Sequence, residues 1–136
     1  MKNFIVYEHS GKILRTGTCL NADFSLQGEN VIEGLANYEN QYIENNLIVN
    51  MPPKPNGAAY FNYDTKQWVL DYPSQELSVK FQRDDLLYKS DWTQIPNNPL
   101  TAEQQQAWAV YRQELRDITS QSGYPFNVIW PTPPQG

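Results

Sequence analysis

The first half of the chain consists of short β-branched and aromatic runs separated by turn-forming residues, a pattern that predicts β-strands. NFIVYE and KILRTGTCL flank a turn at residues 9–11 and predict a first hairpin. ENVIEGLA and QYIENNLIVNM follow, and Asn45 and Asn46 predict a tight turn in the second of these runs, because asparagine tolerates the left-handed backbone region. AAYFNYDTKQWVLD predicts a further hairpin that turns at residues 64 and 65.

The second half of the chain changes to a helical period. The helical pattern extends from residue 75 to residue 89 and predicts a first helix there. Pro73 and Ser74 are the predicted start of this helix. Prolines in the following loop prevent this helix from continuing. The apolar residues that can share one face of it are Leu77, Phe81, Leu87 and Tyr88.

A second, more strongly marked helix is predicted to begin at Thr101. The sequence TAEQ is a capping box, in which the Thr101 hydroxyl accepts from the third helical N–H and the Gln104 side chain reaches back to the cap. Glu103 suits the positive end of the helix dipole. The apolar stripe that follows occupies one helix face and consists of Trp108, Tyr111, Leu115 and Ile118.

These elements predict an α+β protein. The predicted divisions are a β-rich N-terminal unit of short antiparallel strands at residues 1–51, a Pro-rich joint at 52–57, a β-hairpin at 58–72, a helical hairpin domain at 73–130 and an extended, mobile tail at 131–136. Within the helical domain, FNVIW is predicted to form a last short strand.

Composition and charge limit the classes of function. The 136 residues are 40% hydrophobic, enough for the core of one domain or of two very small ones, and the net charge is −5. An acidic chain without a run of Lys or Arg is a poor binder of nucleic acid and of anionic membranes. No apolar run approaches the ~20 residues of a membrane span. The N-terminus lacks the apolar stretch of a signal peptide, so we expect a cytoplasmic product.

Residues suited to nucleophilic catalysis or metal binding are few. Cys19 is the single cysteine, and its place in a predicted strand favours a buried, inert thiol. His9 is the single histidine, and its place in a turn favours a solvated side chain. Metal-ligand spacings and Gly-rich phosphate loops are absent from the sequence, so neither a metal nor a cofactor is predicted.

Carboxylates are the plentiful reactive groups, and a pair in one cleft could act in acid–base catalysis such as glycan hydrolysis. Asp84, Asp85 and Asp91 lie near Glu103 in the sequence. The structural interpretation is favoured, because Asp84 and Asp85 point about 100° apart on a helix. Asp91 occupies a loop or cap position and Glu103 belongs to the helix cap. We therefore predict that the chain is not an enzyme.

The charged residues of the second helix predict a solvated surface; they are Arg112, Glu114, Arg116 and Asp117. In an alternative interpretation, Arg83 and Arg112 reach across the helical hairpin to Asp84 or Asp91. Exposed pairs of this kind contribute about 0–1 kcal/mol.

A series of motifs extends through the second half of the chain. RDDLL, SDWTQ, a short Pro-containing loop, LTAEQ, AW, YR, LRDI and WP follow one another in order. In this order the segment resembles the C-terminal domain of bacteriophage tail fibre assembly proteins, also called tail assembly chaperones. GKILRTGTC, GENVIEG, QYIENNLIVNMPPKP and FNYDTKQWV are similar to the same proteins more loosely, so the resemblance extends over most of the chain.

The resemblance implies that a set of residues locks the helical hairpin and is architectural. These residues are Trp92, Thr93, Thr101, Gln104, Trp108, Tyr111 and Leu115. The Trp92 ring is expected to lie against the face formed by Trp108 and Tyr111, an aromatic pairing that adds roughly 0.5–1.5 kcal/mol beyond area burial. Function would then lie on the β-rich unit or on the exposed hairpin surface, and the sequence does not assign residues that bind a partner.

The resemblance also implies a function and a partner. The expected partner is the C-terminal tip of a phage tail fibre protein, whose folding and trimerisation the chain would assist, with retention on the fibre as a further possibility. Self-association, or a stoichiometry matched to the trimer, is also expected. The alternative is a permanent structural component of the virion tail, such as a small fibre, baseplate or receptor-binding attachment protein. The expected location is the host cytoplasm during assembly, or the virion tail.

Overall fold

The computed structural model describes residues 1–135, which form seven short strands and two α-helices. The predicted α+β class is confirmed. The chain forms two compact units. The β unit comprises Met1–Pro55 and Ala59–Leu70, and the helical unit comprises Asn56–Ala58 together with the chain from Asp71 onward.

The three-stranded sheet of the β unit is built around β1, Lys2–Tyr7. β1 pairs antiparallel with β2 (Ile13–Cys19) on one side and with β3 (Val31–Glu33) on the other. A 3-10 helix at Asn21–Gln27 connects β2 to β3. Because β1 is the central strand, consecutive apolar side chains on both of its faces are buried, and Ile5 is completely so.

Two further hairpins belong to the β unit, and their strands, β4 to β7, are Gln41–Glu44, Leu47–Asn50, Ala59–Asn62 and Gln67–Leu70. β4 pairs with β5, and β6 pairs with β7. The predicted turn at Asn45 and Asn46 is confirmed, with φ angles of 53° and 62° in the left-handed region. The predicted turn after β6 is also present, and its left-handed residue is Lys66, with φ of 59°.

The turn of the first hairpin is bound by the other two hairpins. The N–H of Ile43 donates to the carbonyl oxygen of Gly11 at 2.9 Å. The ammonium of Lys66 donates to the carbonyl oxygen of Ser10 at 2.7 Å. Gly11 has φ of 96°, and a Cβ at this position would overlap the carbonyl oxygen of Ile43. The first turn therefore depends on a glycine for both its conformation and its close packing.

The Pro-rich segment that follows β5 packs against the β6–β7 hairpin. Nε1 of Trp68 donates to the carbonyl oxygen of Pro52 at 2.8 Å. The Lys54 ammonium lies 5.8 Å from the centre of the same indole ring. The first residues of the predicted Pro-rich joint are therefore bound to an aromatic side chain of the β unit.

The helical unit contains α1 (Tyr72–Ser90) and α2 (Ala102–Arg116). A 3-10 turn, Asp91–Gln94, follows α1 directly. α1 begins one residue before the predicted start at Pro73 and Ser74, because the Asp71 carboxylate caps it by accepting from the backbone N–H of Ser74. Among residues 1–135, neither α1 nor α2 combines the length and the apolar character that a transmembrane helix needs.

The prediction of a last strand at residues 126–130 is wrong. Within the described chain, the helical unit contains no strand that could pair with this segment. The backbone of Ile129 instead forms hydrogen bonds with the side-chain amide of Gln121. The backbone groups of Ile129 thus find their hydrogen-bond partners in a side chain rather than in a neighbouring strand.

Candidate protein-interaction surface

The segment between the two helices packs against aromatic side chains of α2 and forms a compact junction with them. The ring centroids of Trp92 and Trp108 are 6.2 Å apart, and those of Trp108 and Tyr111 are 5.5 Å apart with the rings nearly perpendicular. Thr93 is completely buried, and its hydroxyl donates to the carbonyl oxygen of Ser90 at 2.6 Å. The structure therefore brings Trp92, Thr93, Trp108 and Tyr111 together at this junction.

The core beneath this junction is supplied by the same face of α2. Leu115 and Ile118 are completely buried. Tyr111, which the helical spacing places on the same face, is buried as well. Burial raises the pKa of the Tyr111 hydroxyl above its ordinary value. The indole N–H of Trp108 and the hydroxyl of Tyr124 are buried without a hydrogen-bond partner among residues 1–135.

The N-terminus of α2 carries the capping box. The hydroxyl of Thr101 accepts from the N–H of Gln104 at 3.1 Å, and the N–H of Thr101 donates to the side-chain oxygen of Gln104 at 2.9 Å. Glu103 lies in the first turn of the helix. The two reciprocal hydrogen bonds satisfy backbone donors that the helix itself leaves unpaired.

Replacing Thr101 with alanine is expected to lower the free energy of unfolding by about 1 kcal/mol, because the N–H of Gln104 loses its acceptor. The measurement is equilibrium unfolding in urea. Thr119→Ala, at an exposed threonine, serves as the control and should change stability by no more than about 0.5 kcal/mol. Equal shifts for the two variants would show that the cap contributes nothing specific.

Arg112 is the residue of this junction whose predicted solvated surroundings are wrong. Its side chain is buried rather than solvated, with 8% of the residue exposed. The guanidinium donates to the carbonyl oxygen of Leu87 at 2.6 Å, to the hydroxyl of Ser90 at 2.7 Å and to the carboxylate of Asp91 at 2.7 Å. The alternative interpretation, a bridge to Asp91, is correct, but it is a buried tie between α2 and the end of α1.

Three of the four carboxylates considered for acid–base chemistry are held by basic side chains, and the fourth, Glu103, lies exposed in the first turn of α2. Asp84 pairs with Arg83 at 2.8 Å, and Asp85 pairs with Lys89 at 2.8 Å. Asp91 pairs with Arg112. Within residues 1–135, no group of three His, Cys, Asp or Glu side chains is placed to hold a metal ion.

The single histidine and the single cysteine differ in how far their predicted surroundings are found. His9 is exposed in the β1–β2 turn, as expected. Cys19 is only partly buried, which corrects the prediction of a buried thiol. The reason is its position, since it is the last residue of β2, which lies at the edge of its sheet.

α1 exposes large apolar side chains on the face opposite its buried residues. Leu77, Phe81 and Tyr88 are 71%, 78% and 78% exposed, respectively. They are four and seven residues apart and so share one helix face, whereas the buried residues Val79 and Ser90 lie on the other side. We call these three residues the α1 stripe. It extends over ~16 Å of helix.

The prediction that Leu77, Phe81, Leu87 and Tyr88 share one face holds for three of them. Leu87 is half-buried and lies away from the α1 stripe, which is in solvent. Asp84 and Asp85 lie between Phe81 and Tyr88 in the sequence and border the stripe on its two sides. Single exposed apolar residues are common, whereas several on one helix face are typical of a binding surface.

A helical hairpin fixed by a buried tie, with an apolar stripe left in solvent, is typical of a protein that binds other proteins. Residues 76–135 match the family model of the phage tail assembly chaperone protein. This segment is therefore similar to the phage tail assembly chaperone family, as its motifs indicate. No curated protein and no solved structure matched the chain.

Proposed function

We propose that the protein is a tail fibre assembly chaperone that binds the C-terminal tip of the fibre protein and assists its folding and trimerisation. The α1 stripe is the observation that carries this proposal, together with the family of residues 76–135. A trimeric fibre tip forms through long-range β pairing, which is slow and exposes apolar surface to aggregation. A preformed apolar helix face can cover such surface until the three chains are in register.

This mechanism requires only binding energy. A surface that binds the native-like tip more tightly than the unfolded chain shifts the population toward the trimer by mass action. The carboxylates beside the stripe are paired with Arg83 and Lys89, so the stripe would bind the tip through apolar contact rather than through charge. The chaperone would act in the host cytoplasm during assembly, and retention on the fibre would carry it into the virion tail.

The test is co-expression of the C-terminal half of the phage's tail fibre protein with and without this chain. Soluble, heat-resistant fibre trimer is the quantity measured. We expect trimer to require the chain. A fibre that trimerises equally well alone would contradict the proposal.

Replacing all three residues of the α1 stripe with alanine is expected to lower the yield of trimer about ten-fold, because apolar contacts at the centre of an interface carry most of its energy. Folding of the chain itself should be retained, since the side chains are in solvent. The matched control is Leu26→Ala combined with Leu35→Ala. These leucines are 77% and 76% exposed but lie in the β unit. Equal trimer yields for the stripe and control variants would remove the stripe from the mechanism.

The second candidate is a permanent structural component of the virion tail. The aromatic cluster of the β unit supports it, because Phe61 packs against the rings of Tyr42, Tyr63 and Trp68 and gives the unit a rigid core of its own. Purified virions discriminate between the two candidates when combined with the co-expression test. A fixed, symmetric copy number in particles, with fibre that trimerises without the chain, supports the structural role.

A further inference from the structure

The last segment of the helical unit, residues 126–131, pairs one edge of its backbone with a side chain. The N–H of Ile129 donates to Oε1 of Gln121, and Nε2 of Gln121 donates to the carbonyl oxygen of Ile129, both at 2.8 Å. A residue directs its N–H and its C=O to the same side only where the backbone is extended. The amide of Gln121 therefore pairs with Ile129 as one residue of an antiparallel strand would.

The opposite edge of this segment has no hydrogen-bond partner among residues 1–135, and Val128 and Trp130 are each partly exposed. Successive peptide groups of an extended chain alternate in direction, so those of Val128 and Trp130 face away from Gln121. Among the hydrogen bonds within residues 1–135, none uses the backbone groups of Val128 or Trp130. The side chain of Ile129 is 81% exposed. We call the backbone groups of Val128 and Trp130 the 128–130 edge.

The segment is anchored before this edge begins. The side chain of Gln75, on α1, donates to the carbonyl oxygen of Pro125 at 3.1 Å. The ring of Phe126 packs edge-on against Tyr72, with centroids 4.9 Å apart. A partner that pairs with the 128–130 edge would therefore meet a segment that is already extended and fixed, which lowers the entropic cost of binding.

Two hollows flank the pairing of Gln121 with Ile129. One, of about 690 Å³, is formed by residues 121–123 and 127–129. The other, of about 310 Å³, is lined by Glu114, Asp117, Gln121, Ile129 and Pro131. The two carboxylates of the second hollow favour a basic side chain there.

We infer that the 128–130 edge receives an extended segment of the fibre tip as an added β-strand, with a Lys or Arg of that segment entering the hollow beside Glu114 and Asp117. This inference rests on the proposed function and names how the client is recognised. Main-chain hydrogen bonds to Val128 and Trp130 give affinity, and the charged hollow gives selectivity. An incompletely folded β-rich tip has unpaired strand edges that match this geometry.

The decisive experiment is amide hydrogen exchange on the full chain, alone and in complex with the C-terminal half of the fibre protein. We expect the amides of Val128 and Trp130 to exchange at least ten-fold more slowly in the complex. The amide of Ile129 is already bonded to Gln121 and should change much less. Protection of both amides on the edge away from Gln121 is the pattern that strand pairing produces.

A pair of variants tests the same point by fibre co-purification. Val128→Pro removes the backbone donor at the open edge, whereas Val128→Ala shortens the side chain and keeps that donor. We expect Val128→Pro to lower the bound fibre at least ten-fold and Val128→Ala to lower it less than three-fold. The exchange measurement uses the unsubstituted chain, so it decides the matter even where Val128→Pro folds poorly.

The outcomes separate the two levels of the proposal. Fibre that binds and trimerises with unchanged exchange at Val128 and Trp130 overturns strand addition and leaves the chaperone function standing. Absence of any fibre binding overturns both. In the chain alone, the protection of these two amides from exchange could increase with the concentration of the chain. That result would show that the edge pairs two copies of the chain, and it would overturn the assignment of the fibre tip as its occupant.

Discussion

Replacing Arg112 with methionine is expected to lower the free energy of unfolding by about 3 kcal/mol and the melting temperature by about 10 °C. Methionine keeps the apolar stem but removes every donor. The carbonyl oxygen of Leu87 and the hydroxyl of Ser90 then lose their buried donor, and Asp91 loses its ion pair. Circular dichroism during thermal unfolding measures the effect. Most of the loss arises from the orphaned buried groups, because Asp91 is itself largely in solvent.

Two controls identify the cause of this loss. Arg116→Met changes an exposed arginine of the same helix and should alter stability by no more than about 0.5 kcal/mol. Arg112→Lys should lie between the wild type and Arg112→Met, because one ammonium cannot reproduce the planar fork that reaches three acceptors. A melting temperature for Arg112→Met equal to that of the wild type would show that the buried tie does not hold the helices together.

Replacing Gly11 with alanine is expected to destabilise the β unit by about 3 kcal/mol. Two costs combine, since a left-handed conformation is unfavourable for alanine and the new Cβ overlaps the carbonyl oxygen of Ile43. The hydrogen bond from the N–H of Ile43 to Gly11 would then break or lengthen. Chemical unfolding gives the total change, and amide exchange at Ile43 locates it.

Ser10→Ala is the control for the glycine variant. Lys66 is bound to the backbone carbonyl oxygen of Ser10, so removal of the hydroxyl leaves that contact intact. We expect a change within about 0.5 kcal/mol and normal protection of the Ile43 amide. Stability that is unaffected by Gly11→Ala would mean that the turn relaxes without strain, contrary to the packing at this position.

Local signals were sufficient to predict much of the secondary structure. Asn45 and Asn46 adopt the left-handed turn expected of them, because the preference resides in the asparagine side chain itself. The capping box at Thr101 and Gln104 forms because both of its hydrogen bonds lie within one turn of helix. Such features need no knowledge of the distant chain, which is why the sequence determines them.

Features that depend on distant partners were not predictable in the same way. The helical period groups Leu77, Phe81 and Tyr88 on one face, but it does not state whether another element covers that face. The strand propensity of residues 126–130 was overridden because Gln121 offers its amide where no partner strand is present in the described helical unit. In both cases tertiary context decided between outcomes that the local pattern permits.

The burial of Arg112 was not predicted, although the sequence contained a signal for it. Arg112 lies four residues after Trp108 and three before Leu115, within the apolar stripe that packs α2 on the rest of the unit. A charged side chain in that position must either disrupt the face or find buried acceptors. The sequence could have suggested burial, but the acceptors are supplied by the end of α1, twenty-one to twenty-five residues away along the chain.

The interleaving of the two units along the chain has a practical consequence for the design of fragments. Residues 56–58 belong to the helical unit, yet the β6–β7 hairpin that follows them belongs to the β unit. The N–H of Ala58 donates to the side chain of Gln75, and Phe126 packs where Gly57 has no Cβ. A fragment that starts at residue 71 loses these contacts, and one that starts at residue 56 carries the β6–β7 hairpin without the rest of the β unit. No single cut therefore yields both units whole, and a stable isolated helical unit requires residues 56–58 to be joined to Asp71 by a new, short linker.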